Sequence, residues 1–456
     1  MTLSLLHADD DAGTRPPVRI VHLGLGAFSR SHLAWYTDRC DDARDWGISA
    51  YTGRSSELAR TLSAQNGMYT LIERGEHGDA ARVIGSIVRA TPGDDVSSFV
   101  ADVASPDTAI VSLTITERGY RIGTGGTHDL SDPAVAADDG ILRGVIEGRG
   151  APDSAQPTTA LGRLMLGLIA RRAQGSPPLA VLSLDNLPDN GEALRRVITG
   201  WARSLDASFA AWLDVSAAFP SSSVDRITPR LSDAELTALQ DDYGDRAPVV
   251  AETFSDWVVS GAFPGGRPSW ETAGVRFVDD LGPWESRKLW MLNGAHTLLA
   301  CLGLVHGHAS VQEAISDPVC RSAVEAWWEE AGRQLPASLD PAEYAQRLLE
   351  RFSHSRIEHR LDQIAADSPL KLAVRVAPVA ERERRAGRSA SAAATAIAAW
   401  IAADREGLLG PARQNTDGSQ AALAAAIRSI SPQLADDADF VAAVGSASAT
   451  MTRVPT

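Results

Sequence analysis

Short β-branched runs alternate with helix-like stretches along the first part of the chain. Val18–Leu23 is one such run and ends at Gly24 and Gly26. Beyond it, Leu33, Tyr36 and Thr37 recur at helical spacing, which predicts a helix over about Ser29–Arg39. Gly47–Thr52, Thr108–Ile115 and Leu179–Leu184 read as further strands, with a helical pattern at Thr159–Arg172. Strands alternating with helices imply parallel βαβ units joined by right-handed crossovers. From about Leu281 the pattern changes. Leu289–Leu304, Ala323–Gln334, Ser391–Asp404 and Gln420–Arg428 are rich in Ala and Leu, and strand signals fade. The expectation is an α/β domain over residues 1–280 and a mostly α-helical domain over residues 281–456. Asp417–Ser419 reads as an exposed turn.

A chain of 456 residues exceeds what one core usually supports, which agrees with two domains. The net charge of −15 repels phosphate backbones, so nucleic acid is not an expected partner. Cys40, Cys301 and Cys320 form neither a disulfide framework nor a CxxC pattern, and they fit a reducing compartment. No basic segment precedes a long apolar one at the start, and no run of about 18 uncharged apolar residues is present. A cytoplasmic protein with no membrane partner is expected, as a monomer or small homo-oligomer.

The first strand leads into Gly24-Leu25-Gly26-Ala27-Phe28-Ser29-Arg30, where a dinucleotide fingerprint would sit. Glycines there let the backbone approach a pyrophosphate, and the helix that follows offers its free N–H groups. Ser29 replaces the third glycine of the usual motif, so the match is partial and an ordinary tight turn fits almost as well. Arg30 and His32 add cationic or donor groups, although His32 also fits a surface helix position. After the second strand the chain reads Gly53-Arg54-Ser55-Ser56, with no acidic residue to hold a ribose. Arg54 with two serines suits a 2′-phosphate, so both NAD and NADP stay open.

Pro283–His296 carries the most chemistry. At about 100° per residue, Glu285, Lys288, Asn293 and His296 fall within an arc of roughly 140°. A lysine on an otherwise apolar helix must be hydrated or used. A buried lysine of lowered pKa is a competent general base for removing a hydroxyl proton, and Asn amides can hold the developing alkoxide. A solvated helix face accounts for the spacing equally well, but Asn293-Gly294 in mid-helix argues against it. Asp185-Asn186 follows a strand's carboxyl end, where parallel sheets place their sites, and it also fits a helix N-cap before Glu192–Ile198. Asp225-Arg226 fits a structural ion pair at least as well as a catalytic role.

Seven segments together resemble the long-chain mannitol dehydrogenase family, which includes mannitol 2-dehydrogenases and fructuronate reductases. They are GLGAFSRSH at 24–32, SLTITERGY at 112–120, LSLDNLPDNG at 182–191, FPSSSVDRITP at 219–229, ETFSDWVVSGAFPGGRPSWE at 252–271, ESRKLWMLNGAH at 285–296 and SPQLADDADFVAAV at 431–444. The resemblance implies a Rossmann-type dinucleotide-binding domain, a helical substrate and catalytic domain, and a site in the cleft between them. It implies Lys288 as general base, Asn186 and Asn293 as donors to the reacting oxygen, and His296 as a substrate contact. Glu285 would lie on the proton's way out and Asp225 would support the site. Gly24, Gly26, Ala27, Phe28, Arg30, Arg54, Thr114 and Glu117 would line the cofactor, with NAD expected and NADP open. No metal is implied, in keeping with the lack of a visible His/Cys/Glu ligand cluster. Thr253-Phe254 and Asp256-Trp257 depart from the family's usual Pro-Phe and Gln-Trp, and an acidic Asp256 near the cleft would alter substrate preference. Lys371 or Arg375 would contact a substrate hydroxyl or carboxylate. The implied reaction is hydride transfer between NAD(P) and a secondary hydroxyl of a sugar alcohol or sugar acid. Two rivals remain at this point: a non-catalytic dinucleotide-binding sensor, and a sugar isomerase or epimerase that uses the nicotinamide transiently.

Overall fold

The computed structural model describes residues 15–53, 55–353, 356, 359–410 and 419–451, so Arg54 and the turn at Asp417-Gly418 lie outside the described residues. The chain separates into two compact units, Met1–Leu281 and Gly282–Thr456.

The amino-terminal unit is built on a six-stranded parallel sheet. Its strands are β1 (Val18–Leu23), β2 (Gly47–Tyr51), β3 (Ile87–Thr91), β4 (Ile110–Leu113), β5 (Leu179–Ser183) and β6 (Ala217–Ala218). They lie in the order β3-β2-β1-β4-β5-β6, the doubly wound Rossmann arrangement. Alternate residues feed two separate cores. Ile20, Ile110 and Ala180 face one, and Val21, Val111 and Val181 face the other. Burial on both faces is why these strands read as unbroken apolar runs.

β4 is shorter than the expected Thr108–Ile115. Thr108 turns its hydroxyl to the Asp102 carbonyl at 2.7 Å, and Ile115 leaves the ladder to bind the Asp185 carboxylate. Two small sheets have no counterpart in the pattern-based expectation. One joins Val249–Glu252, Tyr69–Gly75 and Gly78–Ile84; the other joins Arg276–Phe277, Asp256–Ser260 and Ser221–Asp225. Their strands mix polar and charged residues with apolar ones, which hides them from periodicity.

Among its described residues the carboxy-terminal unit holds helices joined by turns and loops, with no strand beyond an isolated bridge between Ser310 and Arg360. A continuous helix over Gly282–Val305 is long and apolar enough to cross a membrane, yet 78% of its apolar window is buried, as in the core helix of a globular unit. Its Gly294–Val305 portion packs on the Ala-rich helix Ser391–Arg405. Alanines buried along that helix, among them Ala393, Ala396 and Ala399, allow the two axes to approach closely.

Candidate active site

The glycine turn sits where the strand order reverses, between β1 and β4, and open α/β sheets bind ligands at such a point. Gly24 has φ +113, and a Cβ there would lie 2.1 Å from the Thr114 carbonyl oxygen, so no other residue fits. Gly24 and Leu25 both donate to the Tyr51 carbonyl, and the Thr114 hydroxyl donates to the Gly24 carbonyl at 2.8 Å. Gly26 differs. A Cβ on it would meet only the Gly24 carbonyl at 3.6 Å, so nothing inside the protein demands glycine there. An open backbone at that point is a fit for a closely approaching pyrophosphate. Ala27 is exposed and Phe28 half-buried beside the turn.

The helix that follows is irregular. It widens to a π-helix over Arg30–Ala34, and all five of those residues are buried. Arg30, expected to face a phosphate, instead turns inward. Its guanidinium donates to the Ala247 and Gly26 carbonyls, so it braces the turn from behind. His32 is no surface residue: it is fully buried among the rings of Phe28, Tyr36 and Trp257. Carbonyls along the widened turn are taken from outside, Arg30 O by the Tyr69 hydroxyl and Ser31 O by Arg226, each at 2.6 Å. Ser29 caps the turn, accepting from the Gly26 N–H at 3.0 Å.

Asp185 is not the N-cap that its spacing suggested, because the next helix begins at Asn190. Its buried carboxylate accepts from Thr116 N at 2.8 Å, Ile115 N at 3.1 Å and the Tyr120 hydroxyl at 2.9 Å. Burial pushes that carboxyl above its usual range, while these donors pull it back. The reason for the latch is strain: Thr116 has φ +64 and ψ 162, a region otherwise left to glycine. Asp185 thus fixes the segment from Thr114 to the exposed Glu117 beside the glycine turn. Asn190, which sequence reasoning passed over, is fully buried. Its amide binds Asp185 O and Ser222 O, tying the exposed Asn186 loop to the strand that ends at Asp225. The partner found for Arg226 is Glu73, and Asp256, directly across from Asp225, is bound to Arg276.

In the carboxy-terminal unit the helix is α-wound over Gly282–Arg287, π-wound over Lys288–Asn293 and α-wound again from Gly294. The uniform 100° step assumed from sequence therefore does not hold. The outcome survives for a physical reason. A π turn bonds residues five apart, which puts Asn293 one turn beyond Lys288. Glu285 precedes Lys288 by three residues and His296 follows Asn293 by three, so all four share a side. The widened turn again depends on outside donors. The indole N–H groups of Trp327 and Trp328 donate to Trp290 O and Met291 O, each at 2.9 Å. Arg375 and Thr297 donate to Asn293 O at 3.3 and 3.0 Å. A Cβ on Gly294 would lie 2.8 Å from the Trp327 ring, which explains a glycine in mid-helix. Arg375 and Lys371 thus have intramolecular tasks, the latter donating to Ile364 O at 2.8 Å.

His296 stacks on Phe352 with centroids 4.5 Å apart and has His359 at its edge. Burial above all, then His359, Arg351 and Arg375, holds its imidazole well below the ordinary value, so it is neutral. Its Nε2 is buried with no hydrogen-bond partner among the described residues.

The expectation that no metal-ligand cluster exists needs correction. The fold gathers His306, His308, Asp317 and Cys320, with one ligand atom from each within 4.8 Å of the others. The residues are spread over a turn and a helix start, so no compact motif announces them.

A doubly wound sheet followed by a helical unit that carries lysine, asparagine and histidine along one helix suits an oxidoreductase that acts on alcohol groups. Residues 18–272 match the mannitol dehydrogenase Rossmann domain and residues 280–447 the mannitol dehydrogenase C-terminal domain, and the chain belongs to this family. It is 35% identical to the D-mannonate oxidoreductase of Escherichia coli over 84% of this chain and 79% of that protein. It resembles the Pseudomonas fluorescens mannitol 2-dehydrogenase solved with NAD and D-mannitol, with a TM-score of 0.77 and 31% identity over 96% and 92% of the two chains. A D-sorbitol dehydrogenase structure gives a TM-score of 0.83 and 29% identity over 95% of each chain.

Proposed function

We propose that the protein transfers a hydride reversibly between NAD and a secondary hydroxyl of a sugar alcohol or sugar acid, without a catalytic metal and with Lys288 as general base. The observation that carries this reading is the π-wound segment, which groups Lys288, Asn293 and the neutral His296 on one side of a buried helix. NAD, when bound at the glycine turn by Gly24, Gly26, Ala27, Phe28, Thr114 and Glu117, supplies the hydride acceptor. Lys288 takes the hydroxyl proton as the carbon's hydride departs, and Glu285 lies one turn away to pass that proton on. Asn186 and Asn293 donate to the oxygen as its charge develops. His296, neutral and with Nε2 unsatisfied, orients a neighbouring hydroxyl, while Asp225 supports the Asn186 loop.

The resemblance of the carboxy-terminal unit and the 35% identity to a D-mannonate oxidoreductase favour the mannonate–fructuronate pair over mannitol–fructose. The test is consumption of NADH with fructuronate, tagaturonate and fructose by the wild-type protein and by Lys288→Ala. The expected result is turnover with one ketose, reduced by about 10³-fold or more in the variant, at unchanged cofactor affinity. Equal turnover in Lys288→Ala would sink the mechanism. Cofactor binding without net NADH consumption would point to a sensor or an epimerase.

A further inference from the structure

We infer that His306, His308, Asp317 and Cys320 form a structural zinc site at the far end of the catalytic helix. His306 closes the helix Gly294–Val305, Gly307 reverses the chain with φ +85, and His308 follows at once. Asp317 opens the helix Pro318–Gly332, with Cys320 in that helix's first turn. The two Asp317 oxygens divide their work. Oδ1 accepts from Val319 N at 2.7 Å and Cys320 N at 3.4 Å, which fixes the carboxylate's orientation. Oδ2 is thereby aimed at His306 Nδ1 and His308 Nε2, each 3.0 Å away. A carboxylate held by other groups in this way is the support a metal ligand needs.

Hydrogen bonding between the two imidazoles and Asp317 accounts for three of the four residues, while Cys320 borders the hydrophobic core of this unit and turns its sulfur to the same point. Cys320 is fully buried, and its sulfur lies within 4.8 Å of the other three donor atoms. A zinc tetrahedron with bonds of about 2.0–2.3 Å has edges of roughly 3.3–3.8 Å, so small side-chain rotations close the site. Two nitrogens, one oxygen and one sulfur suit a borderline-soft cation, whereas magnesium and calcium require mostly oxygen ligands. Two neutral imidazoles, a carboxylate and a thiolate carry −2, which a divalent cation neutralises. The His306, His308 and Asp317 side chains keep 18–26% exposure, which gives the ion a way in.

The cation's role is structural. His306 lies ten residues beyond His296, about 15 Å along the axis, too far to touch a substrate held there. It ties the end of the catalytic helix to the start of the helix that carries Trp327 and Trp328, the donors that satisfy the π turn.

The test uses the chelator-treated full-length protein, titrated with zinc chloride by calorimetry and with cobalt(II) by absorbance. One equivalent of zinc should bind and raise Tm by several degrees. Cobalt should give tetrahedral d–d bands and a sulfur-to-metal charge-transfer band. His308→Gln should weaken binding at least about tenfold, and Cys320→Ser should abolish the charge-transfer band. The inference is overturned if zinc neither binds nor shifts Tm, if both variants bind as the wild type does, or if wild-type cobalt protein shows only an octahedral spectrum without sulfur. That last reading needs no variant, so it decides the matter even if both fail to fold.

Discussion

The helix after the glycine turn and the helix that carries Lys288 share one irregularity and use it in opposite ways. Each widens to a π turn, and in each several carbonyls along that turn are taken by side chains distant in sequence. In the amino-terminal unit the donors are Tyr69, Arg226 and Ser86, and every residue of the π segment is buried. There the widening tucks Arg30 and His32 beneath the turn and leaves only backbone on offer. In the carboxy-terminal unit the donors are Trp327, Trp328, Arg375 and Thr297, while Lys288 and Asn293 stay partly exposed. There the widening presents side chains. The same local departure from α geometry thus leaves only backbone on offer in one unit and partly exposed polar side chains in the other.

The largest effects are expected at the glycines. Gly24→Ala combines a left-handed φ with overlap on Thr114 O, and should cost about 3–5 kcal/mol and abolish cofactor binding. Urea unfolding and a cofactor titration check both effects. Gly294→Ala meets the edge of the Trp327 ring at 2.8 Å and should cost less, about 1–3 kcal/mol. It should lower kcat by about 10–100-fold while cofactor affinity holds, because it disturbs only the face that presents Lys288. If Gly294→Ala weakens cofactor binding as strongly as turnover, the division of labour is wrong.

Removing single donors should have smaller effects. Trp327→Phe leaves Trp290 O without its partner and should cost about 1–3 kcal/mol, with kcat falling. Tyr69→Phe strips Arg30 O in the same way and should cost about as much in stability, with its kinetic effect on KM for the cofactor.

The smallest effect at neutral pH is expected from His22. Burial pushes its imidazole down to about 4. The unfolded chain takes up this proton below about pH 6.5 and the folded chain does not, so stability falls as pH drops through that window. The slope contributed is at most about 1.4 kcal/mol per pH unit, and His22→Gln should remove it, leaving only a pH-independent cost for altered hydrogen bonding to Ser112 and Thr114. His296 carries the same sign in the other unit, so the residual slope of His22→Gln should reflect it.

The parts legible in the sequence are those where a residue type is dictated locally. Gly24 is forced by its own φ, and the doubly wound sheet follows from strands whose two faces are both apolar. The shared side of Glu285, Lys288, Asn293 and His296 was readable because the spacing survives either winding. What stayed hidden depends on partners far along the chain. Nothing near Lys288 announces that Trp327 and Trp328 will satisfy its helix, and nothing near Arg30 announces that Ala247 will draw it inward. His306 and Cys320 meet only after a chain reversal at Gly307. The Asp185 latch could not be told from a cap, one of the two readings its position allows, because a carboxylate just before a helix suits both tasks.

Thr116 places a β-branched side chain in a conformation that only glycine adopts at ease, a standing cost of about 1–3 kcal/mol. A folded domain holds only about 5–15 kcal/mol in reserve, so a sizeable share goes to shaping one loop. That share is charged in every molecule, whether or not substrate is present. The Asp185 carboxylate is what keeps the loop from relaxing, and a weakened core should therefore be felt first at this loop, well before the sheet itself lets go.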